Sequence, residues 1–294
     1  MTGRPGVWCM DMMRVIHAGT CAAAWAAMTL ACAGCSTSAE RPETLDIATT
    51  TSVVNSGLLS VLLPLFEHDA RITVRVHAAG SGRALEMLND QIIELVISHA
   101  PQAEARMLAA HPEWQYRKIA TNDFVVVGPP GDPAGVRQAA DATSAFARIA
   151  TARAQFLSRG DGSGTHERET ELWRQAPAQP DPGRLLVSGS GMAATLRQAA
   201  AQGAYTLSDA ATFKQLQDRV TLDVLFEGDP QLVNSYAVVF PPQSTTAARF
   251  AEWLARGRGK GHLAEYRVRG SEAYRAWPDN CPGDHPRATP CGAP

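Results

Sequence analysis

The feature that most constrains this chain is a set of glycine- and hydroxyl-rich junctions, each lying where a predicted strand gives way to a predicted helix. The four junctions are residues 49–52, 80–82, 158–165 and 188–191. A helix N-terminus carries unpaired backbone N–H groups and a partial positive charge, so it favours anions. Four such junctions, with Arg159 in one of them, predict a fold that gathers helix N-termini around a small oxyanion.

Strand and helix patterns alternate along the chain, which predicts an α/β fold with mainly parallel sheets. Residues 92–98 are almost continuously apolar, as expected of a buried strand. The strands are too many for one compact sheet, so we expect two lobes joined by crossing hinge strands near residues 124–128 and 233–240. The predicted first lobe is residues 44–127 and 233–278, and the predicted second lobe is residues 128–232.

Composition limits the ligand classes. The formal net charge is -2 and the pI is about 6.4, which argues against nucleic acid or an acidic membrane surface as the partner. Aromatic residues make up 6% of the chain, too few for a platform that stacks bases or sugars. A small anion remains consistent with both observations.

The N-terminal segment is typical of an export signal. Arg14 precedes an apolar run that extends to Leu30, and small residues lead to Cys35. This pattern predicts a lipoprotein signal peptide over residues 1–35, lipidation of Cys35 and a tether linker over residues 36–43. The alternative is an uncleaved membrane anchor, although the run is short of the roughly 20 residues that a span needs.

Two cysteines lie beyond the signal and Cys35. Cys281 and Cys291 are in a Pro- and Gly-containing segment, residues 279–294, which we expect to be a flexible tail. An exported compartment permits a disulfide between them. The alternative is a pair of free thiols in a frayed terminus.

The junctions supply the chemistry that a tetrahedral dianion needs. Such an ion must exchange its water shell for preorganised donors, and an arginine fork can meet its charge. The candidate ligand-binding residues are Thr50, Thr51, Ser52, Ser81, Arg159, Ser163, Gly164, Thr165, Gly191 and Met192. No cofactor is expected.

Each junction also has a structural interpretation. Ser81, Ser163 and Ser190 are suited to ordinary helix caps, and Arg159 could pair with Asp161. The recurrence of glycines beside hydroxyls favours the binding site, because caps alone need neither. Asp161 leaves two alternatives open: it accepts a proton-bearing ligand such as phosphate, or it orders its own loop.

Enzymatic patterns are weaker. The run 160–164 misplaces the serine of a nucleophile elbow, and no P-loop lysine follows a glycine run. Residues 189–194 match a dinucleotide fingerprint without the βαβ unit that should accompany it. The histidines lack metal-ligand spacing, so no metal cation is expected. An exported phosphoryl-transfer hydrolase that uses Ser163 and a sensory module that presents an anion remain as alternatives.

Several motifs together resemble the tungstate-binding proteins of tungstate ABC transporters. They are A-T-T-T-S at 48–52, S-G-L-L at 56–59, H-A-P at 99–101, N-D-F-V-V-V-G-P at 122–129, S-R-G-D-G-S-G-T-H at 158–166, G-M-A-A-T-L at 191–196, G-A-Y-T-L at 203–207 and E-G-D-P at 227–230. The resemblance extends from Leu45 to Pro278. At 80–83 the chain has Ser81 and Arg83 where the family has Thr and Gln.

The resemblance implies a type II periplasmic solute-binding fold that closes on tungstate or molybdate. It implies that Thr50, Thr51, Ser52 and Arg159 bind the oxyanion. It also implies an ABC permease and its ATPase as partners, and a monomer outside the cytoplasmic membrane. The 158–166 motif is similar to that of phosphate-binding transport proteins too, which keeps phosphate as an alternative ligand.

Overall fold

The computed structural model of the chain describes residues 43–291, which form an α/β body. Its strands are β1 (Glu43–Thr49), β2 (Ile72–Ala78), β3 (Leu95–Ser98), β4 (Gln115–Gly128), β5 (Phe156–Ser158), β6 (Leu185–Val187), β7 (Thr206–Asp209), β8 (Asp223–Phe226), β9 (Val233–Phe240), β10 (Arg267–Val268), β11 (Ser271–Glu272) and β12 (Arg275–Ala276).

Helices follow most of the strands. They are α1 (Thr51–Asn55), α2 (Leu58–Ala70), α3 (Ser81–Asn89), α4 (Pro101–Ala110), α5 (Ala142–Thr151), α6 (Gly164–Gln175), α7 (Met192–Gln202), α8 (Ala210–Leu216), α9 (Thr245–Ala255) and α10 (Arg258–Glu265). None of the helices in residues 43–291 is both long and apolar enough to cross a membrane.

The main sheet has the order β12-β4-β9-β3-β1-β2. Strands β7 and β8 pair with the C-terminal part of β4, residues 124–128. The partner of β4 changes within the strand: Asp123 lies opposite Val233 on β9, whereas Phe124 lies opposite Asp209 on β7. We call residues 43–123 and 233–291 the first lobe, and residues 124–232 the second lobe. The strand β4 therefore crosses from one lobe to the other, and the chain returns at the start of β9.

The α/β class with crossing strands agrees with the sequence prediction, but the sheets are more mixed than predicted. Strand β1 is parallel to β2 and β3, and β5 is parallel to β6. In contrast, β9 runs antiparallel to β3 and β4, and β4 runs antiparallel to β7 and β8. The antiparallel pairs follow from the crossing, because a strand that enters a lobe and one that leaves it run in opposite senses.

Each lobe is stabilised by an apolar cluster of its own. In the first lobe, Leu45 and Ile97 pack with Phe66 and Phe250, whose rings meet edge to face with centroids 4.8 Å apart. In the second lobe, the cluster includes Phe156, whose ring meets that of Trp173 edge to face at 5.2 Å. Buried apolar area is the main stabilising term of each lobe, so each lobe has its own core behind the junctions.

The described part of the C-terminal segment packs against the first lobe. Cys281 and Cys291 form a disulfide with their Cα atoms 5.5 Å apart. The backbone carbonyl of Gly283 accepts a hydrogen bond from the amide of Lys118 on β4 at 2.6 Å. The Lys118 ammonium lies 5.8 Å from the Trp277 ring centroid. These contacts differ from the flexible tail that we predicted, because the disulfide and β4 give residues 281–291 fixed partners.

Some predictions fall outside the described residues. They concern the signal peptide over residues 1–35, lipidation of Cys35 and nearly all of the linker over residues 36–43. The predicted lobe bounds stay a prediction.

Candidate functional site

The junction at residues 49–52 builds the N-terminus of α1 in the first lobe. Thr50 is the N-cap, and its hydroxyl accepts a hydrogen bond from the amide of Val53 at 3.4 Å. Thr50 and Ser52 are buried, whereas Thr51 is partly exposed. The strand β1 ends directly before this turn, so it places all three side chains at the edge of the sheet.

The junction at residues 80–82 builds the N-terminus of α3, also in the first lobe. Gly80 is the N-cap and has no side chain to accept from the first helical amides. Ser81 follows as the first helical residue, and its hydroxyl is fully buried with no hydrogen-bond partner among the described residues. An unpartnered buried hydroxyl costs free energy, which marks Ser81 as a candidate ligand contact.

The junction at residues 158–165 builds the N-terminus of α6 in the second lobe. Ser163 is the N-cap, and its hydroxyl accepts from the amide of His166 at 3.3 Å. Asp161 accepts from the amide of Ser163 at 3.1 Å, which orders the loop. The Thr165 hydroxyl is buried and has no partner among the described residues. The second lobe therefore offers an unpaired hydroxyl that matches the one in the first lobe.

Arg159 is the largest side chain that the described residues bury completely. Its Nε donates to the carbonyl of Ser190 at 2.9 Å, Nη1 donates to the sulfur of Met192 at 3.5 Å, and Nη2 donates to Asp161 at 2.5 Å. A guanidinium has five N–H donors. These three bonds hold it in place and leave donors for a ligand.

The ion pair with Asp161 is the structural alternative that the sequence left open. Asp161 accepts from both Arg159 and the Ser163 amide, so it orders its loop and neutralises part of the arginine charge. The two interpretations are compatible, because the same arginine keeps unused donors.

The junction at residues 188–191 builds the N-terminus of α7, which faces the first lobe. Gly191 is the N-cap, and Met192 follows it fully buried. A Cβ atom added at Gly191 would lie 3.0 Å from the Thr51 hydroxyl oxygen of α1. Glycine therefore allows the N-terminus of α7 to approach that of α1 across the two lobes.

The junctions at residues 80–82 and 158–165 also meet other parts of the chain across the lobes. A Cβ atom added at Gly80 would lie 3.4 Å from the Asp161 carbonyl oxygen, and one added at Gly164 would clash with the backbone of His99 in the first lobe. All four junctions thus converge at one place between the lobes. Every candidate ligand-binding residue from the sequence lies on one of these four junctions except Met192, which directly follows the last one as the first residue of α7. Their roles in binding stay a prediction.

Comparison with known proteins places the fold in a family. Residues 36–258 match the model of the PBP superfamily domain. The chain belongs to the PBP superfamily.

Relatives narrow the family further. This PBP protein is 35% identical over 239 residues to the tungstate-binding protein TupA of Peptoclostridium acidaminophilum, across 78% of this chain and 82% of that relative. Among solved structures, it is similar to the tungstate ABC transporter protein of Geobacter sulfurreducens (34% identity, TM-score 0.70, 76% of this chain and 99% of that one). It is also similar to TupA of Desulfovibrio alaskensis G20 (33%, TM-score 0.68, 80% and 98%). The chain is therefore a solute-binding protein, as its sequence predicted.

Three buried titratable groups that the prediction had not placed in the site surround Arg159 in the PBP protein. Burial raises the pKa of Glu169 to about 7, although Glu169 accepts from the Ser158 hydroxyl and from the Arg159 amide. Burial raises the pKa of Asp209, the N-cap of α8. Burial and then the Arg159 charge lower the pKa of His99 to about 4. Two carboxyl groups and a neutral imidazole therefore line the back of the loop.

The tautomer of His99 follows from its neighbours. Asn234 donates its amide N–H groups to Asn122 and to the Tyr236 hydroxyl, so its carbonyl oxygen accepts from His99 Nδ1 at 3.1 Å. Nε2 of His99 then carries a lone pair and has no partner among the described residues. Of this network, only His99 and Asn122 lie in motifs identified from the sequence, as the first residues of H-A-P at 99–101 and N-D-F-V-V-V-G-P at 122–129.

Within residues 43–291, no hydrogen bond pairs the hydroxyl of Ser163, the nucleophile of the hydrolase alternative, with a histidine ring or a carboxylate that could act as its base. The Ser163 hydroxyl accepts from a backbone amide, and Nδ1 of His166 accepts from the Gly162 amide at 3.0 Å, so neither is paired with the other. No group of three His, Cys, Asp or Glu side chains within residues 43–291 could hold a metal ion.

Proposed function

We propose that this protein is the exported substrate-binding subunit of an ABC importer, which captures tungstate between its two lobes and delivers it to a permease. A cytosolic ATPase supplies the energy. The observation that carries the proposal is the convergence of four helix N-termini on buried Arg159, with the unpartnered hydroxyls of Ser81 and Thr165 on opposite sides. The names of its relatives support tungstate as the ligand.

The arrangement suits binding without reaction. A tetrahedral dianion accepts hydrogen bonds from backbone amides, hydroxyls and the guanidinium fork, and no bond is made or broken. No cofactor is needed. The proposed ligand-binding residues are Thr50, Thr51, Ser52, Ser81, Arg159, Ser163, Gly164, Thr165, Gly191 and Met192.

Selectivity over sulfate follows from the size of the ion. Preorganised donors in a closed cleft are all satisfied only by an ion large enough to reach them, and a smaller ion leaves some of them unpaired. Molybdate is close to tungstate in size, so we propose that it binds the same residues.

Calorimetric titration tests the proposal. The soluble body, residues 36–294, is titrated with tungstate, molybdate, sulfate and phosphate. We expect tight binding of tungstate and weak binding of sulfate and phosphate. Failure to bind tungstate would overturn the proposal.

Phosphate is the second candidate ligand because of one contact. The Asp161 carboxylate touches Arg159, so it lies beside the proposed anion position, where it could accept the proton that phosphate keeps near neutral pH. Tungstate is acceptor-only and is repelled by the same carboxylate. Phosphate binding tighter than tungstate binding would favour this candidate.

The partners and location follow from the importer role. We propose that the protein is lipid-anchored through Cys35 at the outer face of the cytoplasmic membrane, or periplasmic, and that it acts as a monomer. We also propose that it has no catalytic activity, since no base is paired with the Ser163 hydroxyl among the described residues. Metabolic labelling with a fatty acid, compared with Cys35→Ala, tests the anchor; equal labelling would contradict it.

A further inference from the structure

Helix α4 of the first lobe lacks a cap of its own. Its N-cap residue, Ala100, has no side chain that can accept a hydrogen bond, and Pro101 occupies the first helical position. The amides of Gln102 and Ala103 are instead bonded to the carboxylate of Glu167, at 2.6 Å to Oε1 and 3.2 Å to Oε2. One carboxylate therefore satisfies two of the amides that a helix N-terminus leaves free.

This carboxylate comes from the other lobe. Glu167 lies on α6, 65 residues from Gln102 in the sequence. The carboxylate is a negative group at the positive end of a helix dipole, which adds to the two hydrogen bonds. Glu167 is half-buried, and its burial raises its pKa. The contact therefore exists only while α6 and α4 are together.

We propose that Glu167 is a closure latch, a positioning residue that holds the two lobes together once the anion is bound. The proposal rests on the proposed function, in which the lobes close on an oxyanion. It adds a residue that does not touch the ligand but raises its affinity by stabilising the closed form.

Helix α6 connects the latch to the ligand. The helix begins at the capped Ser163 loop and carries Thr165 in its first turn, while Glu167 follows within the same turn. Movement of α6 toward the first lobe brings the loop to the anion and Glu167 to α4 together. An anion that favours the closed position of α6 therefore favours the latch, and the latch favours the anion equally.

Glu171, one turn further along α6, provides a matched control. It is paired with Arg174 and Gln175, both on its own helix, and among the described residues it makes no hydrogen bond to the first lobe. Glu171→Gln removes the same charge from the same helix without removing a contact between the lobes.

The test compares Glu167→Gln with Glu171→Gln by calorimetry and stopped-flow fluorescence, using sodium tungstate. Glutamine keeps one acceptor but sets an NH2 group against the second amide and removes the charge. We expect Glu167→Gln to weaken tungstate binding about tenfold. The loss should appear in the dissociation rate, because the latch forms after encounter. The association rate and the melting temperature of the ligand-free protein should stay near the wild-type values.

The outcomes separate the latch from the proposed function. If the wild type binds tungstate and Glu167→Gln binds it equally tightly, the latch is overturned and the proposed function still stands. Equal weakening by Glu167→Gln and Glu171→Gln would overturn the latch too, since it would reflect charge alone. If none of the four anions binds the wild type, the proposed function fails. The latch, which acts only with a bound anion, then fails with it.

Discussion

The two lobes contribute to the proposed cradle in opposite ways. The first lobe offers neutral donors: Thr51 at the start of α1 and the unpartnered hydroxyl of Ser81 at the start of α3. The second lobe offers charge that is held in place, because Arg159 is bonded to Ser190, Met192 and Asp161 of its own lobe. A preorganised charge binds an anion at little further entropic cost.

This difference indicates an order of events. We expect the anion to bind the second lobe first, where the charge is fixed, and the first lobe to close afterwards with its neutral hydroxyls. Removal of a hydrogen-bond donor from the second lobe should therefore lower the association rate of the anion. Removal of a donor from the first lobe should raise its dissociation rate. The predictions below test that division.

The largest effect is expected for Arg159→Ala. Loss of the buried cation should weaken tungstate binding by about thirtyfold or more, since truncating one partner of a buried charge contact costs about 2–5 kcal/mol. Calorimetry measures the change. The control is Arg75→Ala, which removes an arginine of the edge strand β2 that is paired with Asp46 on β1. Affinity within threefold of wild type would show that the arginine charge does not serve the ligand.

A second variant of the same ion pair should act in the opposite direction. Asp161→Asn keeps an acceptor for the Ser163 amide but removes the negative charge that neutralises Arg159. We expect tungstate to bind about tenfold more tightly, because a carboxylate close to a dianion raises its free energy. Phosphate should gain less or lose affinity. The prediction is wrong if tungstate binding weakens while phosphate binding stays unchanged.

The buried hydroxyls of Ser81 and Thr165 allow a direct comparison of the two lobes. Ser81→Ala in the first lobe and Thr165→Val in the second each remove a buried hydroxyl that has no hydrogen-bond partner within the described part of the chain. Each variant should bind tungstate about fivefold more weakly, since one neutral hydrogen bond contributes ~1 kcal/mol. Neither should melt at a lower temperature, because the free protein loses no hydrogen bond.

The kinetics of these two variants then test the order of events. Ser81→Ala should raise the dissociation rate, and Thr165→Val should also lower the association rate. Thr170→Val, an exposed change on the same helix α6 as Thr165, is the control. Identical kinetics for Ser81→Ala and Thr165→Val would contradict the order.

Much of the site could be predicted from the sequence because its parts are local. A glycine and a hydroxyl at a strand-to-helix junction specify a helix N-terminus within a few residues, so the four junctions and Arg159 were found from spacing alone. The α/β class follows in the same way from alternating strand and helix patterns.

The rest depends on contacts between distant residues. In the sequence, Glu167 is only a negative charge that suits the first turn of α6, because its partners are 64 and 65 residues away. The antiparallel sense of β9 likewise follows from the path of the chain between lobes and from no local pattern. Asp209 had one usable signal, an acid after an apolar strand with Thr212 three residues later, which is typical of a helix cap.

The smallest predicted effect concerns protons and Glu169. Its pKa is about 7 because burial disfavours the carboxylate, and a dianion bound near Arg159 would raise the pKa further. Below pH 7 the group is already protonated, so binding moves no proton. As pH rises through 7 the free protein loses the proton while the complex keeps it, so binding takes up a fraction of a proton and weakens.

Calorimetry at pH 7.5, in buffers that differ in ionisation enthalpy, measures this uptake as the slope of the observed binding enthalpy against that ionisation enthalpy. Glu169→Gln, which cannot ionise, should remove both the uptake and the weakening with pH. If Glu169→Gln keeps the wild-type proton uptake, the proton is taken up by another group and the prediction is wrong. Because Glu169 lies behind Arg159 in the second lobe, the proton effect also bears on the comparison: Ser81→Ala in the first lobe should leave the uptake unchanged.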